Sequence, residues 1–284
     1  MSILEAILLG IVQGATEFLP VSSSGHLVLV PAILGLPQPS LNIIAVAHLG
    51  TLIAVLIYFH RELWAIITAV IAGLIKRSPL QETNSRLGWY IVAGSIPAAA
   101  AGLLFADFFD EVFGTPTLAA LFLLVTASLL VWGERMYTGT KSLDKMTWLD
   151  AITIGIFQML ALFPGISRSG STITGGLWRG LDRETAARYS FLLGVPAILG
   201  AGLLSILDLQ QSGDLAAEWP ILLAAFLSAA VVGYACIYFL LAWLRSHSLY
   251  IFAAYCALLG GGYLLLVLSS TAFFLHARNE LFLI

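Results

Sequence analysis

Apolar residues run almost unbroken over 41–59, 86–105, 117–134, 185–207, 217–244 and 249–270. A helix needs about 20 mostly apolar residues to cross the hydrocarbon of a bilayer. These six stretches therefore predict six transmembrane helices. Two more, 1–35 and 148–178, are apolar but broken midway by Gly, Pro, Ser and a charge. They predict re-entrant hairpins, each a pair of half-helices that returns to the side it entered. A further run, 63–75, is short and flanked by Arg61, Glu62, Lys76 and Arg77, so it is not expected to cross. The expected fold class is an all-α polytopic membrane protein.

The charges orient this pattern. Lys and Arg concentrate in cytoplasmic loops. Arg61, Lys76, Arg77 and Arg86 share one loop region, and Arg135, Lys141 and Lys145 a second. Arg179, Arg183 and Arg188 share a third, and Arg245 lies in a fourth, so these loops hold eleven of the thirteen basic residues. The intervening loops are acidic, with Asp107, Asp110 and Glu111, then Asp208, Asp214 and Glu218. The two kinds alternate across six crossings if both broken stretches turn back. Both termini are then expected outside.

The broken stretches resemble each other at a constant offset of 145 residues. "GIVQGATEFLPVSSSGH" from Gly10 and "GIFQMLALFPGISRSGS" from Gly155 share seven identities in 17 positions. The matches are Gly10/Gly155, Ile11/Ile156, Gln13/Gln158, Phe18/Phe163, Ser22/Ser167, Ser24/Ser169 and Gly25/Gly170. The chain thus reads as a single membrane domain, 1–284, built from a first repeat, 1–140, and a second, 145–284. Each repeat holds one hairpin and three crossings. An odd number of crossings inverts the second repeat relative to the first, and inverted repeats bring their broken helices together near the midplane. Arg168 is expected to face the first hairpin rather than lipid.

Composition agrees. Of 284 residues, 60% are hydrophobic and 10% charged, against roughly a quarter charged in a soluble domain. Mean hydropathy is +0.96. The net charge of -3 comes with no basic stripe for nucleic acid. Cys236 and Cys256 lie in apolar runs and read as small core residues rather than a disulfide or metal ligands. The first 18 residues lack the basic start and small-residue cleavage site of a secretory signal.

Ionisable groups inside such a chain point to function. Gln13 and Glu17 lie at i, i+4 on one helix face, Pro20 breaks the helix, and Ser22, Ser23, Ser24 and His26 follow. The second loop offers Ser167, Arg168, Ser169, Ser171 and Thr172 just before a helix. A Gly/Ser-rich turn entering a helix presents backbone N–H groups and a positive dipole end to an anion. A guanidinium adds a fork that suits phosphate. The second loop therefore reads as a phosphate cradle. The first reads as the reactive side, with carboxylate, hydroxyl and imidazole. Gln13 and Glu17 also offer hard oxygens for Mg²⁺ or Ca²⁺. For His48, in "VAHLGT", packing and approach to the site both stay open. Asp150 is expected to cap the second hairpin or complement its dipole.

"QGATEFLPVSSSGH" and "FPGISRSGST" together resemble the two signatures of the bacterial undecaprenyl-diphosphate phosphatases of the bacitracin-resistance type, and "RYSFLLGVPAILGAG" is similar as well. The resemblance covers most of the chain. It implies a metal-dependent enzyme of the bacterial inner membrane, its site open to the periplasmic or outer side. The implied reaction removes the terminal phosphate of a C55 polyprenyl diphosphate. The product is the carrier lipid for peptidoglycan, and its recycling confers bacitracin resistance. Carried over by position, Gln13 and Glu17 fill the acidic motif, with one carboxylate where two would favour a metal. Ser23 and His26 fall on the catalytic Ser and His. Ser167, Arg168, Ser169 and Thr172 fall on the diphosphate-binding motif. The attacking group is Ser23, His26 or a water.

Type 2 phosphatidic acid phosphatases share Ser-Gly-His and Ser-Arg elements, but Thr174 stands where theirs carry a histidine. The competing class is a transporter or flippase of polyprenyl phosphate lipids, since inverted repeats with broken helices also suit transport. Oligomeric state is left open, with a homodimer compatible.

Overall fold

The computed structural model describes residues 1–112, 115–211 and 215–281. Among these residues the chain is helical, with no β-strand beyond an isolated bridge between Lys141 and Leu181. The α-helices in order are α1 Ile3–Phe18, α2 Ser23–Leu34, α3 Leu41–Tyr58, α4 His60–Ile75, α5 Thr83–Leu104 and α6 Ala106–Val112. They continue as α7 Pro116–Arg135, α8 Trp148–Leu160, α9 Arg168–Trp178, α10 Arg183–Gln211, α11 Leu215–Leu244 and α12 Tyr250–Leu281.

Five helical segments are long and apolar enough to cross a membrane among the described residues: Leu41–Tyr58, Thr83–Leu104, Pro116–Arg135, Trp219–Leu244 and Tyr250–Ser269. The remaining expected span, 185–207, falls within α10, where the side chains of 201 and 203–211 lie outside the described residues. The 63–75 run forms α4, which has 16 residues and packs on α5. Of the expected acidic loop residues, Asp107 lies in α6. The side chains of Asp110, Glu111, Asp208 and Glu218, and all of Asp214, lie outside the described residues, as do the last three positions of the second repeat. Large apolar side chains such as Val231, Tyr238, Leu258 and Leu265 are exposed on the outer faces, as a lipid solvent requires.

The two broken stretches are helical hairpins, α1 with α2 and α8 with α9. Their four helices have 16, 12, 13 and 11 residues, each short of a full span. They begin alike. Ser2 and Glu5 form a capping box on α1, and Thr147 and Asp150 form one at the equivalent positions of α8. Ser22 and Ser167, equivalent again, cap α2 and α9 by accepting from the N–H of Gly25 and Gly170. Each box satisfies donors that the first turn leaves unpaired. Gly10 in α1 and its counterpart Gly155 in α8 make matching close approaches: a Cβ would run into the backbone of Ala225 in α11 and of Gly94 in α5.

Ion pairs tie the basic segments to one another. Arg179 and Lys141 both hold the buried Asp150, at 2.7 and 3.1 Å. Arg183 forks onto Glu134 and lies over the ring of Tyr137, while Arg188 pairs with Glu62 and Arg245 with Glu184. Glu134 also accepts from the N–H of Leu249 at 2.7 Å. All four basic loop regions therefore gather at one end of the molecule. Asp150 does more than the cap expected of it, since it anchors this network as well.

Candidate active site

The tips of the two hairpins meet. Pro20 has no N–H to continue α1, and the chain turns sharply, with Val21 N–H donating to Leu19 O at 2.7 Å. Ser22 then takes a positive φ of 73°, uncommon outside glycine, and α2 starts. On the other hairpin, Gly165 has φ 100°, and a Cβ there would meet the carbonyl of Ala119. Thr126 of α7 clamps this turn by donating to Gly165 O and accepting from Ser167 N–H, both at 2.9 Å. The tips are bonded directly: Gly165 N–H donates to Ser24 Oγ at 3.3 Å, and Ser169 Oγ donates to Leu19 O at 3.1 Å. The starts of α2 and α9 thus converge, with Ser23 and Arg168 as the first residue of each.

Glu17 is the hub. Its Oε1 accepts from Arg168 Nη2 at 2.8 Å. Its Oε2 accepts from Ser23 Oγ at 2.7 Å and from Gln13 Nε2 at 3.0 Å. His48 Nε2 lies 3.7 Å from the same Oε2. Gln13 is fully buried, and its Oε1 has no hydrogen-bond partner among the described residues. No group of three or more His, Cys, Asp or Glu is arranged to hold a metal among the described residues.

Arg168 is held from both sides. Its Nη1 donates to Ser190 O at 3.0 Å, and Thr172 Oγ1 meets Ser190 Oγ at 2.6 Å. Gly194, one turn further along α10, leaves the space that the guanidinium fills, for a Cβ there would collide with it. Ser167 and Ser169 share a 3.2 Å hydroxyl contact, and the buried Ser171 hydroxyl has no hydrogen-bond partner among the described residues.

His26 points elsewhere. Its Nδ1 lies 2.7 Å from Ser22 O, and its Nε2 lies 2.7 Å from Tyr255 Oη. A carbonyl only accepts, so Nδ1 carries the proton and Tyr255 donates to Nε2. The two rings stack, 5.6 Å apart at 4°. His26 faces an apolar cavity of about 360 Å³, walled by Leu9, Val12, Leu27 and Val30 and reaching Met1 and Gln38.

The structure therefore brings Gln13, Glu17, Ser23 and Arg168 together, with Ser167, Ser169 and Thr172 shaping the loop behind Arg168. It does not bond His26 to Glu17 or Ser23. Sequence reasoning missed Thr126, Ser190, Gly194 and Tyr255. Ser190 and Gly194 lie in the similar segment after the second motif. Thr126 and Tyr255 lie in apolar spans with nothing local to mark them.

The family model described as bacitracin resistance protein BacA matches residues 6–262. The chain belongs to this BacA family. Curated relatives named undecaprenyl-diphosphatase align over nearly the full length of both chains. The Chloroherpeton thalassium protein is 47% identical over 271 residues, which is 92% of this chain and 95% of that one. The Thermomicrobium roseum protein is 45% identical, covering 94% and 99%. The Methanosphaera stadtmanae protein is 44% identical, covering 92% and 96%. In this BacA-family chain, both motif loops lie inside the matched region and meet at Glu17 and Arg168.

Proposed function

We propose that this protein hydrolyses undecaprenyl diphosphate to undecaprenyl phosphate and inorganic phosphate, with Ser23 as the nucleophile. The 2.7 Å bond from Ser23 Oγ to Glu17 Oε2 carries the reading. A serine is a weak nucleophile until a neighbouring base takes its proton, and Glu17 stands in that place. Ser23 Oγ attacks the terminal phosphorus and its proton passes to Glu17. The bond to the bridging oxygen breaks, and the lipid monophosphate leaves. Glu17 gives that proton to the departing lipid phosphate, then takes one from the water that attacks the phosphoserine and returns it to Ser23 Oγ as phosphate departs. Arg168 and the N-terminal N–H groups of α2 and α9 offset the charge on the transferring phosphoryl group.

Gln13 Oε1, which has no hydrogen-bond partner among the described residues, would hold a divalent cation together with Glu17. When bound, such an ion supplies further charge stabilisation to phosphoryl transfer.

In the membrane, the reading is of six crossings and two re-entrant hairpins in an inverted repeat, with both termini outside and the site open to the outer face of the inner membrane. The matching caps of the hairpins and the single cluster of basic loops support it. The apolar cavity beside His26 reaches Pro37–Ser40, at the end of α3 opposite Arg61. It offers the lipid chain a way in from that side.

The transporter reading is less favoured, because carrying a phosphate needs no hydroxyl paired with a carboxylate. Purified protein given undecaprenyl diphosphate should release phosphate, and Ser23→Ala should stop it. Lipid translocation without phosphate release would reverse the choice.

A further inference from the structure

A hydroxyl in a helix with no water beside it can donate to the carbonyl four residues earlier. Ser95, Ser128 and Ser228 do this, at 2.8, 2.9 and 2.6 Å. Thr126, almost fully buried in α7, is spent on another segment instead. Its Oγ1 donates to Gly165 O and accepts from Ser167 N–H, each at 2.9 Å, across 39 and 41 residues of chain. A hydroxyl both donates and accepts, so this one group closes both sides of the turn.

The turn bears on the whole site. Gly165 takes φ 100°, and its own N–H donates to Ser24 Oγ at 3.3 Å, next to Ser23. Ser167 caps α9 by accepting from Gly170 N–H at 3.0 Å, and Arg168 is the first residue of that helix. Moving the turn therefore moves Arg168 and slackens its tie to the tip that carries Ser23. Behind the turn, α7 is packed closely on α12, where a Cβ on Gly260 would come within 2.6 Å of Ala120 O. The clamp is thus mounted on a helix pair outside both hairpins.

We propose that Thr126 is a positioning residue for phosphoryl transfer: its hydroxyl fixes the Gly165–Ser167 turn, and with it the place of Arg168 relative to Ser23. The role in the reaction rests on the phosphatase reading, but the hold on the turn does not.

The test compares wild type, Thr126→Val and Thr126→Ser, each purified full length in detergent and studied well below the lowest of their thermal midpoints. Valine keeps the shape but puts a methyl where Oγ1 stands. Carbon packs at about 3.5 Å or more, against 2.9 Å here, so the turn must give way by roughly 0.6 Å. Gly165 O and Ser167 N–H also lose their partner. Hydrogen exchange read by mass spectrometry should show the amides of 163–170 opening about 10-fold faster in Thr126→Val, with Thr126→Ser near wild type. Given undecaprenyl diphosphate, Thr126→Val should lose about 10-fold or more of kcat, since a displacement near 1 Å costs on the order of 100-fold. KM should stay within about 3-fold, because the apolar cavity beside His26 is untouched and the loss falls on the transition state. Thr126→Ser should keep most of the rate. Unchanged exchange at 163–170, a valine variant with wild-type kcat, a serine variant as slow as the valine one, or a loss carried wholly by KM would each overturn the proposal. Equal phosphate release by wild type and Thr126→Val rejects the positioning role and leaves the phosphatase reading standing. Wild type that releases no phosphate rejects that reading and the role in it, while exchange at 163–170 still decides whether Thr126 holds the turn.

Discussion

Arg168 Nη2 and Glu17 Oε1 lie 2.8 Å apart, although 151 residues separate them in the chain. The contact joins the first residue of α9 to the penultimate residue of α1, and so joins the two hairpins. Arg168 also holds Ser190 O. A lysine ammonium lacks the planar fork that serves both partners while presenting further donors to phosphate. Arg168→Lys is therefore expected to lose about 100-fold or more of turnover, close to Arg168→Ala. Phosphate release near wild type from the lysine variant would show that charge alone suffices.

Ser23→Ala removes the attacking oxygen but leaves Arg168 and the α9 start in place. Turnover should vanish while lipid diphosphate binding persists. A variant retaining more than about a tenth of wild-type turnover, a loss under ~1.4 kcal/mol, would move the nucleophile to His26 or to water.

Gly194 allows the guanidinium its position. Gly194→Ala should push Arg168 off Glu17 and cut turnover about 10-fold or more, with a thermal midpoint near wild type. Unchanged kinetics would show that Arg168 is held by Ser190 and Glu17 without this space.

Tyr255 donates to His26 Nε2. Such a bond is worth about 0.5–1.5 kcal/mol, so Tyr255→Phe should destabilise the purified protein by about that much. An unchanged unfolding midpoint in Tyr255→Phe would show that the bond does not help to hold the imidazole.

Topology is open to labelling. A cysteine at Thr83, beside the basic loops, should resist an impermeant thiol reagent in intact cells, and one at Thr115 should react. Equal labelling would reject the inverted arrangement.

Much of this was open to reading in the sequence because the bilayer imposes it locally. The long apolar runs became helices at the expected places, since a backbone in hydrocarbon must satisfy its own hydrogen bonds. Pro20 and the Ser–Gly turns broke the hairpins where they stand. The 145-residue offset correctly paired the capping serines Ser22 and Ser167. Tertiary structure alone decided the partners. Glu17 and Ser23 share a hairpin, but the turn at Ser22 is what aims the hydroxyl at the carboxylate. The same turn sends His26 to Tyr255, 229 residues away. Thr126, Ser190 and His48 reach the site from α7, α10 and α3, helices whose apolar pattern does not mark these residues. Hydrophobic pattern records how each helix meets its solvent. Which polar atom inside the bundle faces which depends on the angles and depths at which helices pack, and those follow from contacts far apart in the chain.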